Sequence, residues 1–108
     1  MTLTRDYKQT VIARVERDPA FAQALINEAA SLYPNGEAET ARIILRDLVN
    51  ATVGFEAPAQ ATSKPSKSLH RILSAQGNPS MDNLATIFNV VRQKLGIGFE
   101  VSAVPAST

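Results

Sequence analysis

From residue 5 to 17 the apolar side chains Tyr7, Val11, Ile12 and Val15 fall at the spacing that gives a helix one buried face. Asp18 followed by Pro19 is a helix start, with the carboxylate as cap and the proline at the first helical position, where its missing N–H costs nothing. Phe21, Leu25, Ala29 and Leu32 form a second apolar stripe, which stops at the YPNG sequence of residues 33–36. Gly36 and Glu37 open a third helix that carries Ala41, Ile44, Leu45, Leu48 and Thr52 on one face, and Gly54 ends it. Three shorter pieces follow: FEAPAQA, PSKSLHRILS and SMDNLATIFNVVRQKL. In the last, Ser80 is the expected N-cap and Gly96 the expected C-cap. Its expected buried face is Met81, Leu84, Ala85, Phe88, Val91 and Leu95. Beyond Gly96 the period changes to two: Ile97, Phe99 and Val101 alternate with Gly98, Glu100 and Ser102, which predicts a short strand over residues 97–104 with a frayed tail behind it.

The pattern therefore predicts a mainly α chain with one lone terminal strand. A strand without a mate leaves backbone groups unpaired, so a partner is implied, either another copy of the chain or a different protein; a homodimer is expected, pairing through Ile97, Phe99 and Val101 in an antiparallel ribbon. At 108 residues the chain is long enough for one core and too short for two ordinary ones. No apolar run approaches the roughly 20 residues of a membrane span, and the opening MTLTRDYKQT lacks the pattern of a signal peptide. Without cysteine there is no disulfide framework and no thiolate metal site, so a cytoplasmic protein is expected.

Net charge is only +1, so any surface meant for nucleic acid must come from local clustering. Residues 63–71 supply it, with Lys64, Lys67, Arg71 and the single histidine, His70, and no acid. At about 100° per residue, Leu69 sits at the centre of one face of the helix expected over residues 65–74, with Ile72 and Leu73 beside it. Lys67, Arg71 and Ser74 lie opposite, flanked by His70, with Ser66 and Ser68 at the margins. Any surface helix carries charge outside and leucine inside, so the face means little by itself. Its setting adds weight. The FEAPAQAT segment before it is a short helix separated by about three residues, the arrangement a helix-turn-helix requires, and lysine, arginine and serine suit guanine edges and phosphates.

Sharper chemistry finds less support. Ser66 and His70 are helical neighbours, but no acid shares their face to orient the imidazole, and one histidine without cysteine makes a poor metal site. Glu37 and Glu39, followed by Arg42 and Arg46, read as solvated partners along one helix. The glycines are dispersed as helix stops and cradle no phosphate. Neither an enzyme nor a cofactor is expected, and Tyr7, Phe21 and Tyr33 are expected in the core.

The run EAPAQATSKPSKSLHRILS, the GNPSMDNL segment and the amphipathic helix after it resemble the helix-turn-helix of lambda-repressor-like regulators, in particular the addiction-module antidote proteins, which are HigA-type antitoxins. Residues 6–56 are similar to the N-terminal half of that family, so the resemblance covers nearly the whole chain, and LRDLVNATVGFE, KPSKSLHRILS and GNPSMDNL are its specific pieces. The resemblance implies a lambda-repressor-like bundle over residues 36–96, preceded by two extra helices within residues 1–35. It implies base contacts from Ser66, Lys67 and Ser68, base-edge or phosphate contacts from Arg71 and Ser74, and a backbone phosphate contact from Lys64. It also implies operator DNA and a RelE/HigB-type toxin as partners. Two positions depart from the pattern: Pro58 stands where leucine is usual, so the first helix of the motif should start late, near Ala57, or be distorted, and Ser63 stands where glycine usually closes the turn. A stand-alone repressor without a toxin, and a helical adaptor with no DNA role, remain the alternatives.

Overall fold

The computed structural model describes residues 3–74 and 76–106, with side chains from residue 9 onward, so the side chain of Tyr7 lies outside the described residues. In chain order the helices are α1 (Leu3–Arg17), α2 (Pro19–Leu32), α3 (Ala38–Thr52), α4 (Glu56–Thr62), α5 (Ser66–Ile72) and α6 (Met81–Leu95). The architecture is mainly α, and no strand occurs among the described residues. No helix among them is long and apolar enough to cross a membrane.

The local signals act where the chain places them. Asp18 caps α2 by accepting from the Phe21 N–H at 3.2 Å, with Pro19 at the first position. The same carboxylate lies 3.7 Å from Arg14, whose guanidinium covers the Phe21 ring at 4.3 Å. Ser80 caps α6 through Asn83 N–H at 3.1 Å. Gly96 closes α6 in the left-handed region, at φ 71°, and this lets Gly96 N–H and Ile97 N–H donate to the carbonyls of Gln93 and Arg92.

α1 and α2 pack on each other and on α3, while α6 packs on α2, α3 and α4. One cluster runs from Val11 and Val15 through Ile26, Leu45, Leu48 and Val49 to Leu69, Leu73, Ile87 and Val91, so the first two helices share the core of the rest. The buried arcs are displaced from the expected stripes. On α2, Ala22, Ile26 and Ala29 are fully enclosed while Phe21 and Leu25 sit at the rim. On α6, Ile87 and Val91 are enclosed, Leu84, Phe88 and Leu95 are at the rim, and Met81 is 85% exposed.

Two expectations are corrected. Residues 97–104 form no strand. After Gly96 the chain turns back against α6: Arg92 Nη1 donates to the Ile97 carbonyl at 3.2 Å, and the Phe99 ring packs edge-on against Phe88 with centroids 6.2 Å apart. Ile97 and Phe99 are thus half-buried on the core of their own chain, whereas Val101, 91% exposed, and Val104, 77% exposed, lie outside that packing. A segment lying against a helix alternates in and out just as a strand does, so the two share one sequence pattern. The second correction concerns Pro58. α4 begins at Glu56 and is neither late nor broken, because Pro58 is its third residue, where the backbone N–H has no intrahelical acceptor. The first helical bond falls one residue later, from Ala59 N–H to Phe55 O at 3.0 Å, and the proline ring itself is buried.

Candidate nucleic-acid interface

Two seven-residue helices, α4 and α5, are joined by residues 63–65. Ser63 takes the left-handed conformation, φ 59° and ψ 34°, and is the one non-glycine residue among those described with positive φ. Its N–H donates to Gln60 O and that of Lys64 to Ala59 O, the paired bonds that close a helix end. Pro65 is extended, at ψ 149°, and its carbonyl accepts from Ser68 and Leu69 N–H, so α5 starts one residue after the proline. The helix is therefore shorter than the span of residues 65–74 expected from periodicity.

Leu69 and Leu73 are fully buried, and Ile72 packs half-buried beside them. Complete burial of each leucine is worth about 1.5–3 kcal/mol, which is enough to hold so short a helix on its scaffold. On the outer side Lys67, His70 and Arg71 are exposed, Ser66 and Ser68 are half-buried, and Lys64 lies half-buried in the turn. A shallow open depression lies between the two helices, lined by Glu56, Ala59, Gln60, Lys64, Pro65 and Ser66. No acid pairs with Lys64, Lys67 or Arg71 among the described residues. Lys67 and Arg71 are like charges one turn apart, a local cost of about 0.2–0.5 kcal/mol that an anion placed between them would reverse.

Comparison of the chain with protein-family models, curated proteins and solved structures gives no match in any of the three. The face is therefore read from its own chemistry.

Three expected contact residues have commitments within the fold. Ser74 lies beyond the end of α5, and its hydroxyl donates to the Arg71 carbonyl at 2.7 Å. Its own carbonyl accepts from Arg42 Nε on α3 at 3.0 Å. The His70 ring lies almost flat on Phe55, with centroids 3.8 Å apart and planes inclined by 23°. Ser66 faces the depression between the helices. Lys67 and Arg71 are the cations left open on the outer side of α5, with Lys64 beside them in the turn. Sequence reasoning missed both Arg42 and Phe55 as parts of this unit, since nothing in the spacing along α3 or α4 points at α5. The Ile97, Phe99 and Val101 group does not join the site.

Proposed function

We propose that this chain binds double-stranded DNA with sequence selectivity through a lambda-repressor-like helix-turn-helix formed by α4 and α5. Its role in this reading is that of a cytoplasmic autorepressor and the antitoxin of a type II toxin–antitoxin module. The observation that carries the DNA reading is the division of α5: Leu69 and Leu73 are wholly enclosed while Lys67 and Arg71 stand exposed, with no acid paired to either among the described residues. An apolar back fixed on a scaffold and a cationic front is what insertion into a major groove requires. Lys64 in the turn supplies a backbone phosphate contact, which adds affinity without choosing a sequence, and the outer side of α5 supplies the choice. Acting as a homodimer, the protein would present two copies of α5 about 34 Å apart, the spacing of successive major-groove half-sites.

The antitoxin role rests on the resemblance carried by LRDLVNATVGFE, KPSKSLHRILS and GNPSMDNL. It implies a RelE/HigB-type toxin as the protein partner.

Fluorescence anisotropy with a duplex from the protein's own promoter region tests the DNA reading. Binding should weaken steeply with salt, as counterion release demands, and Lys67→Glu with Arg71→Glu should abolish it while the far-ultraviolet circular dichroism stays that of wild type. Binding unchanged in that double variant would refute the assigned face. For the antitoxin role, a small basic ribonuclease-like product of the adjacent gene should co-purify with the chain, and its absence would leave a stand-alone repressor.

A further inference from the structure

Lys67 and Arg71 sit on a helix of seven residues, too short to hold its own orientation. A roll of about 10° about the helix axis moves a side chain at the helix surface by roughly 1 Å, and a misplacement of that size is costly wherever geometry carries the function. The aim of both cations therefore depends on what stops α5 from rolling. Leu69 and Leu73 hold its underside, the 63–65 turn holds its start and Arg42 holds the chain just beyond its end. These ties lie along one line and at the two ends, so the roll is set by the flanks. On one flank Ile72 packs against the core cluster. On the other is His70, stacked on Phe55.

The geometry points to His70 as a positioning residue, whose imidazole face, by stacking on Phe55, fixes the roll of α5 and the aim of Lys67 and Arg71, in place of a base contact through its ring nitrogens. The inference rests on the DNA reading above. Phe55 is well suited to be the fixed half of the pair. It is buried in the core cluster, and its carbonyl accepts the first backbone bond of α4, so it cannot move without α4. Imidazole is well suited to be the other half. One of its faces covers an aromatic ring while the rest of the residue is exposed, and a polar heterocycle meets water at less cost than a phenyl ring would.

Two substitutions separate stacking from hydrogen bonding. His70→Phe keeps a flat aromatic face and removes both ring nitrogens, whereas His70→Asn keeps a donor and an acceptor and removes the stack. The probe is the duplex that the wild-type protein enriches from a random-sequence library, compared with a scrambled duplex of the same composition at fixed salt. His70→Phe should keep the wild-type ratio of the two affinities, and His70→Asn should lower it on the order of ten-fold. Amide exchange at Leu69 and Leu73, measured without DNA, should be faster than wild type in His70→Asn alone. The reverse pattern, with His70→Asn retained and His70→Phe lost, would make His70 a base reader and overturn the inference, as would equal behaviour of the two variants. Should the wild-type protein enrich no duplex, the DNA reading fails by itself. The exchange data then decide the role of the stack: faster exchange in His70→Asn alone upholds it, and any other pattern ends it.

Discussion

Arg42 Nε donates to the carbonyl of Ser74 across 3.0 Å, joining the first half of α3 to the chain just beyond α5. The Ser74 hydroxyl turns back to the Arg71 carbonyl, so the end of α5 is held both by its own last turn and by a neighbouring helix. A charged donor on a half-buried carbonyl is worth more than a neutral one, about 1.5–3 kcal/mol when it is lost. Arg42→Met, which keeps the aliphatic stem, should lower the urea midpoint by the equivalent of about 1.5 kcal/mol with an unchanged m value. A loss below about 0.5 kcal/mol would place the hydrogen bond among interactions that water replaces freely.

Phe99 and Val101 are close in sequence and opposite in environment. Phe99 packs on Phe88 beside the core, while Val101 is 91% exposed. Phe99→Ala should therefore cost about 1–2 kcal/mol of stability, less than a fully buried phenylalanine, and Val101→Ser should stay within about 0.5 kcal/mol of wild type. Thermal melts of the two variants check this. Equal losses at both positions, accompanied by a change in sedimentation, would mean that the tail is engaged with a second chain.

The elements that were legible in the sequence are those written by neighbouring residues: the Asp18–Pro19 start, the Ser80 cap, the Gly96 stop, and the opposition of Leu69 to Lys67 and Arg71. Each depends on a few positions of one segment, which spacing along the chain can express. The burial of Ile26 and Ile87 was displaced from the expected stripes because α2 and α6 each pack against three other helices, and a helix wedged between several neighbours buries a wider arc than a single periodic stripe describes. The stack of His70 on Phe55 and the bond from Arg42 to Ser74 join different elements, so no local pattern announces them. The return of residues 97–99 onto α6 is hidden from the sequence for a further reason: period two records which side is covered and does not say by what.

Ser63 holds a left-handed backbone that favours glycine. An L residue there costs about 1–2 kcal/mol relative to its preferred conformation, part of which glycine would return as greater freedom of the unfolded chain. Ser63→Gly should therefore raise stability by about 0.5–1 kcal/mol, and Ser63→Val should lower it by more than 1 kcal/mol, because a β-branched side chain adds to the clash. Urea denaturation at constant m value reads both. A destabilised Ser63→Gly would show that the serine side chain contributes more than its backbone costs.

Gly77 lies where the chain leaving α5 passes close over the last turn. A Cβ at this position would overlap the Ile72 carbonyl and meet the Arg71 carbonyl oxygen at 2.8 Å, and both are backbone atoms that cannot swing aside. Gly77→Ala should cost about 1–3 kcal/mol as the segment is forced off α5. Gly98→Ala is the control, since an added Cβ there meets nothing within 4 Å and should leave the melting temperature close to wild type. If the two variants melt alike, the close passage of residue 77 over α5 is not maintained in solution.

The hydroxyl of Tyr33 is enclosed without a hydrogen-bond partner among the described residues, and its ring meets Phe88 edge-on at 6.0 Å. Burial pushes its pKa up to about 12 from 10.0, with the Arg42 guanidinium acting in the opposite direction. In the unfolded chain the same phenol ionises near 10, so the folded state keeps a proton that the unfolded state has already released. The contribution of Tyr33 is therefore fully present below pH 10 and is lost as pH rises through the folded value near 12. Tyr33→Phe removes an enclosed polar atom that no hydrogen bond among the described residues compensates, and it should leave stability at pH 8 unchanged or higher by up to about 1 kcal/mol. Between pH 10 and 11.5 the variant should lose less stability than wild type, as followed by chemical denaturation at each pH. Parallel declines for the two proteins would mean that the Tyr33 hydroxyl reaches water in the folded state.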